Sequence, residues 1–496
     1  MSALLAAATY GRGAWRLLSE SLRESRSLRL IAASAGLTGL GLAVGLAVGR
    51  APLPAAGAVL AALALLVMVV EPRSTFLATA LVVTLLPFGV VPLPVGGVQF
   101  TFLDVVLTLS LALWLLRLFL APEQRLHVTP VGGLLLIFLA ITAIACVNAL
   151  PYGISISDLR LYGRSVASAL LFLAALNTLR QVTEARWLVL TLIVAGALAG
   201  CLGVLIYLLP EQRAISVLSL LGPIGYPTGA DVIRYLAESD RVRAVGTSID
   251  PNFFGALLMV CGILAATQVP APRPVANRWL LVLALGPICL ALLLSLSRSS
   301  WMGLAGGIAF VATVRYRWLW FVILPAILLL FAGVVPGTQS FTGHLLAGFL
   351  AQDLATQMRL GEYKDALALI SAYPWLGVGY GNAPSIDTYI GVSNIYLLLA
   401  ENTGLVGLAA YLATIVGLFA YCLPIVWRAR DQLTGGLILS CLACVFGALV
   451  AGVFDHHFVN IKVPHILTLF WLCAAVAVLL ARLERERPGE AIAFGS

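Results

Sequence analysis

Charge is what this sequence has least of. Only 10% of its 496 residues are Asp, Glu, Lys or Arg, against about 25% in soluble domains, which excludes a soluble enzyme or binding module. Histidine is scarce as well, five in all, and no set of ligands for a zinc site stands out. No metal and no cofactor are expected. The net charge of +8 comes without any basic soluble region, so the footprint of a nucleic-acid partner is missing. No secretory signal with a small-residue cleavage site is evident. Residues 1–27 instead read as a basic cytoplasmic segment carrying Arg12, Arg16, Arg23 and Arg26. The eight cysteines all fall in apolar runs, so no disulfide framework is implied. Cys441 and Cys444 form a C-x-x-C that could serve metal or redox chemistry; two small apolar residues on one helix face explain it as well.

What fills the chain is hydrocarbon: 61% of residues are hydrophobic and the mean hydropathy is +1.02. A spanning helix needs about 20 apolar residues. Fourteen stretches qualify, near 28–49, 52–70, 74–92, 103–120, 130–149, 160–179, 187–209, 252–269, 279–296, 300–314, 318–336, 392–424, 433–454 and 464–481. The expectation is an all-α polytopic transmembrane protein of about 12–14 spans, with one integral domain over 28–481 and a cytoplasmic tail at 482–496. Arginines cluster in alternate loops, at Arg73, Arg117, Arg180, Arg273, Arg278, Arg315 and Arg428. That side is cytoplasmic by the positive-inside rule and takes both termini. The opposite, extracytoplasmic side receives two long loops, 210–251 and 337–391. Stretches 211–222 and 344–371 read there as short interfacial helices.

Arginines on the outer side run against the positive-inside rule and each needs a reason. Arg160 and Arg164 are spaced i, i+4 and share a helix face. Arg241 and Arg243 precede the sequence GTSIDPNFF; Arg298 sits in LSLSRSS and Arg359 in QMRLGEYKDAL. Guanidinium forks match phosphate oxygens, so several around one cavity would suit a diphosphate; snorkelling to lipid headgroups is the plainer explanation. Asp250, Pro251 and Asn252 open a span, where Asp is a good N-cap and Pro is favoured at N1; capping and catalysis both remain open for Asp250. Gly377, Gly379 and Gly381 could offer backbone N–H groups to an anion or make a turn after Pro374. Asp455, His456 and His457 fall at the end of the 433–454 stretch. Adjacent residues on a helix diverge by about 100°, so the two histidines read as a general base or an interfacial pair rather than as ligands of one metal.

Four segments in order carry a family resemblance: SIDPNFFGALLMV, LSLSRSSWMGLAGG, MRLGEYKDALALISAYPWLGVGYGN and SNIYLLLAENTGLVGLAAYL. Over roughly residues 240–415 the chain resembles the O-antigen ligase/polymerase superfamily. The resemblance implies an inner-membrane glycosyltransferase working on the extracytoplasmic face. It would take its glycan from undecaprenyl diphosphate, without metal or nucleotide sugar. Arg298 and Arg359 match arginines expected to hold the donor diphosphate. Ligases of this family place a His before the Asn of the SNIY segment, and here that position is Ser393, which has no useful basicity near neutral pH. Asp387, Glu401, His456 or His457 could replace it, or catalysis could rest on orientation alone. The departure favours a Wzy-type polymerase over a ligase. Ser393 and Asn394 join the two arginines as expected catalytic residues. Arg160, Arg164, Arg243, Asp250, Asn252, Tyr396, Glu401, His456 and His457 are the expected substrate-binding set. The implied partners are the lipid-linked oligosaccharide, membrane lipid and a chain-length regulator. A transporter of the same lipid-linked glycan is the alternative from another class, although the matched halves common in transporters are not visible.

Overall fold

A computed structural model describes residues 52–92, 99–120, 126–229, 232–235, 242–331, 343, 350, 354–381 and 391–487. The expected span at 28–49, Arg241 and the candidate base Asp387 lie outside them. The chain divides into two compact units, Met1–Glu71 and Pro72–Ser496. The described part of the first is one helix, α1 (Pro52–Val70).

Among its described residues the second unit is mostly helical. Its elements are α2 (Ser74–Leu85), α3 (Phe102–Leu120), α4 (Pro130–Asn148), α5 (Ile156–Thr178), α6 (Val182–Leu208), α7 (Glu211–Ser219), α8 (Pro251–Gln268), α9 (Arg278–Leu294), α10 (Arg298–Val314), α11 (Trp320–Phe331), α12 (Leu354–Ala372), α13 (Ile395–Arg428), α14 (Leu433–Ala451) and α15 (Pro464–Glu486). Eight of the described helices are long and apolar enough to cross a membrane: α3, α4, α5, α6, α8, α13, α14 and α15. Thirteen of the fourteen predicted stretches coincide with a described helix; the expected segment 211–222 contains α7, and 344–371 coincides with α12 from Leu354 onward, with 344–349 and 351–353 outside the described residues. Between α7 and α8 two short strands pair antiparallel, β1 (Arg234–Tyr235) and β2 (Val242–Arg243), with Arg234 opposite Arg243.

Local sequence sets the helix starts. Thr129 caps α4 ahead of Pro130, Ser155 and Asp158 close a capping box on α5, and Asp250 caps α8 ahead of Pro251. Each supplies an acceptor to N–H groups that a helix start leaves unpaired. In hydrocarbon such groups have no water to turn to.

Helices α8, α14 and α15 form the centre, with 83%, 78% and 89% of their apolar windows buried. α10 lies against α8 and α14, and α14 against α15. Lipid tails are as apolar as leucine, so helices in a membrane associate through close packing and small residues at the seam. Gly303 and Gly307 of α10 meet Gly447 and Ala443 of α14. A Cβ at Gly447 would stand 2.7 Å from the Gly303 carbonyl oxygen, and one at Gly303 would stand 2.8 Å from that of Gly447. This seam sets the first residue of α10, Arg298, beside the turn that follows α14.

Two predicted spans differ in detail. The 74–92 stretch is helical only to Leu85. The 392–424 stretch is α13, broken at Gly404, whose φ of 69° and ψ of 179° are not helical. The loop before α13 fills that break. Val378 and Gly379 donate their N–H groups to the carbonyls of Glu401 and Asn402, and Leu405 donates to Pro374. Gly377 and Gly404, both at positive φ, are pressed backbone to backbone where no Cβ fits. Gly377 donates to the Tyr373 carbonyl in the turn around Pro374, and the Val378 and Gly379 donors are spent on the broken helix, so of the two readings of this loop the turn holds and the anion nest is corrected for Gly377 and Gly379.

Gly447→Leu should wedge α10 from α14 and lower stability by about 1–3 kcal/mol, the usual penalty of overpacking. Gly133→Leu is the control, since a Cβ there meets nothing within 4 Å. Thermal unfolding in detergent should register a clear fall in Tm for the first and little change for the second.

Candidate active site

Four segments meet at the Arg298 end of α10, and one carboxylate joins three of them. Asp455 is 4% exposed. Its Oδ2 accepts from Ser299 Oγ of α10 at 3.3 Å, lies 2.9 Å from His457 Nε2 and stands 3.7 Å from Arg359 of α12. Its Oδ1 is 3.4 Å from His456 Nδ1. Burial pushes the carboxyl up, yet His457, His456 and Arg359 together hold it below the ordinary carboxylate range.

The histidines are not on a helix. α14 ends at Ala451, and the following turn folds both rings back onto Asp455. This corrects the sequence argument that neighbours must diverge. The ligand atoms of Asp455, His456 and His457 all lie within 4.8 Å of one another, and such a donor set could hold a divalent cation. A cation there would face the Arg359 guanidinium and would compete with Ser299 for the same carboxylate. The two rings differ. His457 is 5% exposed with its ring edge-on to Phe253 at 4.9 Å. His456 is 26% exposed, and burial, helped by the charges of Arg359 and Lys462 and opposed by Asp455, pushes its imidazole down to about 4.

Arg243 reaches the same place from β2. Its Nε donates to the Ser295 carbonyl at 2.8 Å and its Nη2 to Asn252 Oδ1 at 2.7 Å. Burial lowers it to about 10; Asp250 and Asp455 act to raise it, while Arg298 and Arg359 act to lower it. It is still charged at neutral pH. Arg298 itself donates to Thr356 Oγ1 of α12 at 3.4 Å. Two tight turns present these side chains, with Ile249 at φ 61° and Leu296 at φ 53°. Left-handed backbone at a branched residue costs about 1–3 kcal/mol and gathers at functional sites.

α12 and α13 complete the surround. Arg359, Glu362 and Tyr363 lie at i, i+3 and i+4 of α12 and share a face. Glu362 accepts the Ser393 N–H at 2.9 Å, and the Tyr363 hydroxyl donates to the Ser393 and Val453 carbonyls, each at 3.3 Å. Asn394 caps α13 through Tyr396 N and Leu397 N and donates to Val453 O at 2.9 Å. The Tyr396 hydroxyl donates to Leu449 O.

Arg243, Arg298 and Arg359 are thus brought together with Asp455, His456, His457, Ser393 and Asn394. Asp250 is the N-cap of α8, accepting from Asn252 N and Phe253 N. Glu401 is 2% exposed at the α13 break. Arg164 is paired with Asp104 on α3, and Arg160 donates to the Gln99 carbonyl at 3.0 Å; these two belong to the α3–α5 contact. Ser299 was not anticipated, since its role depends on a carboxylate 156 residues away.

Residues 279–412 match the family described as O-antigen ligase, which supports membership of the O-antigen ligase/polymerase superfamily. The comparison with curated proteins gives no match. The matched segment holds Arg298, Arg359, Ser393 and Asn394. Arg243 and the Asp455–His457 turn come from outside it, delivered by β2 and by the end of α14.

Removing the Asp455 charge leaves the Arg359 guanidinium without its counterion. Breaking a buried pair costs about 3–5 kcal/mol, so Asp455→Asn should unfold at markedly lower temperature. Because the folded carboxyl titrates below its ordinary value, its stabilisation is complete above about pH 4 and is lost as pH falls further. Tm measured from pH 7 downward should converge for wild type and Asp455→Asn only in that acid range.

Proposed function

We propose that this protein transfers a glycan from an undecaprenyl-diphosphate carrier to an acceptor hydroxyl, on the extracytoplasmic face of the bacterial inner membrane. The observation that carries the reading is the convergence of Arg243, Arg298 and Arg359 at one end of α10, with Arg359 3.7 Å from the buried Asp455, beside a segment of the O-antigen ligase family. Charge at a membrane edge is costly and marks function.

The chemistry follows from the charges. The bond between the sugar's anomeric carbon and the diphosphate oxygen breaks, and its electron pair leaves on the diphosphate. A new bond forms from that carbon to the acceptor oxygen. The three guanidiniums hold the charge that grows on the leaving group, which stabilises the transition state more than the ground state. The acceptor's proton goes to His456. Its Nδ1 lies 3.4 Å from Asp455 Oδ1 without a hydrogen bond between them, the carboxylate accepting the His456 backbone N–H instead, and Nε2 is the atom that takes the proton. At an ordinary pH the imidazole, held down to about 4, is neutral. Ser393 and Asn394 act by joining α12, α13 and the 453 turn.

Polymerisation of lipid-linked repeat units is the first reading, because Ser393 stands where ligases of the family carry His. Ligation to lipid A-core is the second, favoured by the description of the matched family. Purified protein given the lipid-diphosphate-linked repeat unit and no nucleotide sugar should produce a ladder of longer lipid-linked glycans. A single transfer product appearing only with lipid A-core would make it a ligase. Binding of the lipid without transfer to either acceptor would move the transporter reading forward. Arg298→Ala and Arg359→Ala should each lower the rate by about 10²–10³-fold, as loss of a transition-state donor does.

The base has its own signature. Wild-type transfer should fall as pH drops toward the value at which His456 protonates, and be flat above it. His456→Gln should lose about 10²–10⁴-fold in rate and the acid limb with it. An acid limb unchanged in His456→Gln would assign the base elsewhere.

A further inference from the structure

The other end of α10 carries a second cation. Seventeen residues of helix separate it from Arg298 by about 25 Å at 1.5 Å per residue. Arg315 follows the last turn, its N–H bonded to the Val311 carbonyl. The Nε, Nη1 and Nη2 atoms of its guanidinium are all shielded from solvent, and none has a hydrogen-bond partner among the described residues. The hydroxyl of Tyr316 is in the same condition. The Arg315 guanidinium carbon lies 5.2 Å from the centre of the Tyr316 ring, a contact that favours one placement of the fork. The carbonyl end of a helix favours a cation, but it takes up none of these N–H groups. Buried donors almost always find an acceptor, and an orphan marks an unseen water or ion.

The surroundings are basic. Arg278, the first residue of α9, and Arg430, after α13, act on this pair of side chains, with Asp431 opposing them. Three guanidiniums therefore face one carboxylate. We propose that Arg315 and Tyr316, flanked by Arg278 and Arg430, form a binding site for a phosphate-bearing anion. A phosphate group offers several acceptor oxygens in the geometry a guanidinium fork matches. It can take the Tyr316 hydroxyl and the Arg315 N–H groups at once.

The level of the site favours a phospholipid headgroup as the source. Trp279, Trp318 and Trp427 are 81%, 54% and 56% exposed and adjoin Arg278, Arg317 and Arg428 in sequence. The Trp427 indole N–H donates to the Val314 carbonyl at 3.4 Å, next to Arg315. Exposed indoles at helix ends sit at the headgroup layer, and basic pockets between helices at that depth suit anionic lipids. Free phosphate is the other source of the same chemistry. The site is separate from the Arg298 end and does not depend on what reaction occurs there.

The test is thermal unfolding of the full chain, delipidated in neutral detergent at constant ionic strength. It is titrated with dioctanoyl phosphatidylglycerol, dioctanoyl phosphatidylcholine or inorganic phosphate. Ligand that binds only the folded state raises Tm in proportion to the logarithm of its concentration once that exceeds Kd. Phosphatidylglycerol should do so; phosphatidylcholine, whose headgroup adds a cation, should not. Arg315→Gln should weaken the phosphatidylglycerol response about tenfold, the effect of losing a charge-assisted hydrogen bond. If that variant fails to fold, Tyr316→Phe and Arg430→Gln carry the same test with smaller shifts. A concentration-dependent rise in Tm with inorganic phosphate alone, lost in the same variants, keeps the phosphate site and assigns it to the free anion. Equal responses to both lipids, no response to any of the three, or responses undiminished in the variants would overturn the proposal.

Discussion

A carboxylate buried where helices leave a membrane must be compensated, because an unpaired charge there is among the most expensive things a protein can hold. Asp455 is compensated by Ser299 at the start of α10, by Arg359 on α12 and by His457 in its own turn. Those three contacts fix the order of the whole end of the protein. α10 must start beside the end of α14, α12 must lie across both, and the loop before α13 must dock under α12 through Glu362 and Tyr363. Of the guanidiniums that the proposed reaction needs, Arg359 is held by Asp455, Arg243 by the Ser295 carbonyl and Asn252, and Arg298 by Thr356.

The helical frame serves that arrangement in two ways. The glycine seam between α10 and α14 lets two backbones come close enough for Arg298 and Ser299 to stand over the 452–457 turn. The break at Gly404 does the opposite job in α13. It interrupts the ladder so that carbonyls of Glu401 and Asn402 can hold the 377–379 loop. Irregular backbone at membrane depth survives only when other protein satisfies it, and here the glycine-rich loop does so.

Much of this was legible in the sequence for a plain reason: hydrophobic runs of span length have one cheap conformation in lipid, so the helices announce themselves. Arg298 and Arg359 stood out too, because the expected topology sets them against the charge rule, and they lie at the two helices that meet beside Asp455. Spacing could not reveal the partnership of Ser299 with Asp455, which is set by the packing of α10 on α14. Nor could it place His456 and His457, because the end of α14 at Ala451 is not marked by proline or charge; extending the helix by a few residues turned a convergent pair into a divergent one. The Gly377–Gly379 pair was visible, but its target, a kink 23 to 27 residues later, was not. Arg160 and Arg164 show the converse, a shared face correctly read whose partners, Asp104 and Gln99, lie on another helix and loop.

The most direct test of the account is whether the arginine cluster recognises a diphosphate as such. Sugar-free undecaprenyl diphosphate and undecaprenyl monophosphate would be titrated against the protein in nanodiscs of neutral lipid. The account predicts that the diphosphate binds about tenfold or more tightly than the monophosphate, each added charge-assisted hydrogen bond contributing at that scale. The preference should vanish when Arg298 and Arg359 are both replaced by alanine. Equal affinity for the two lipids in the wild type, or a preference that survives the double replacement, would contradict it.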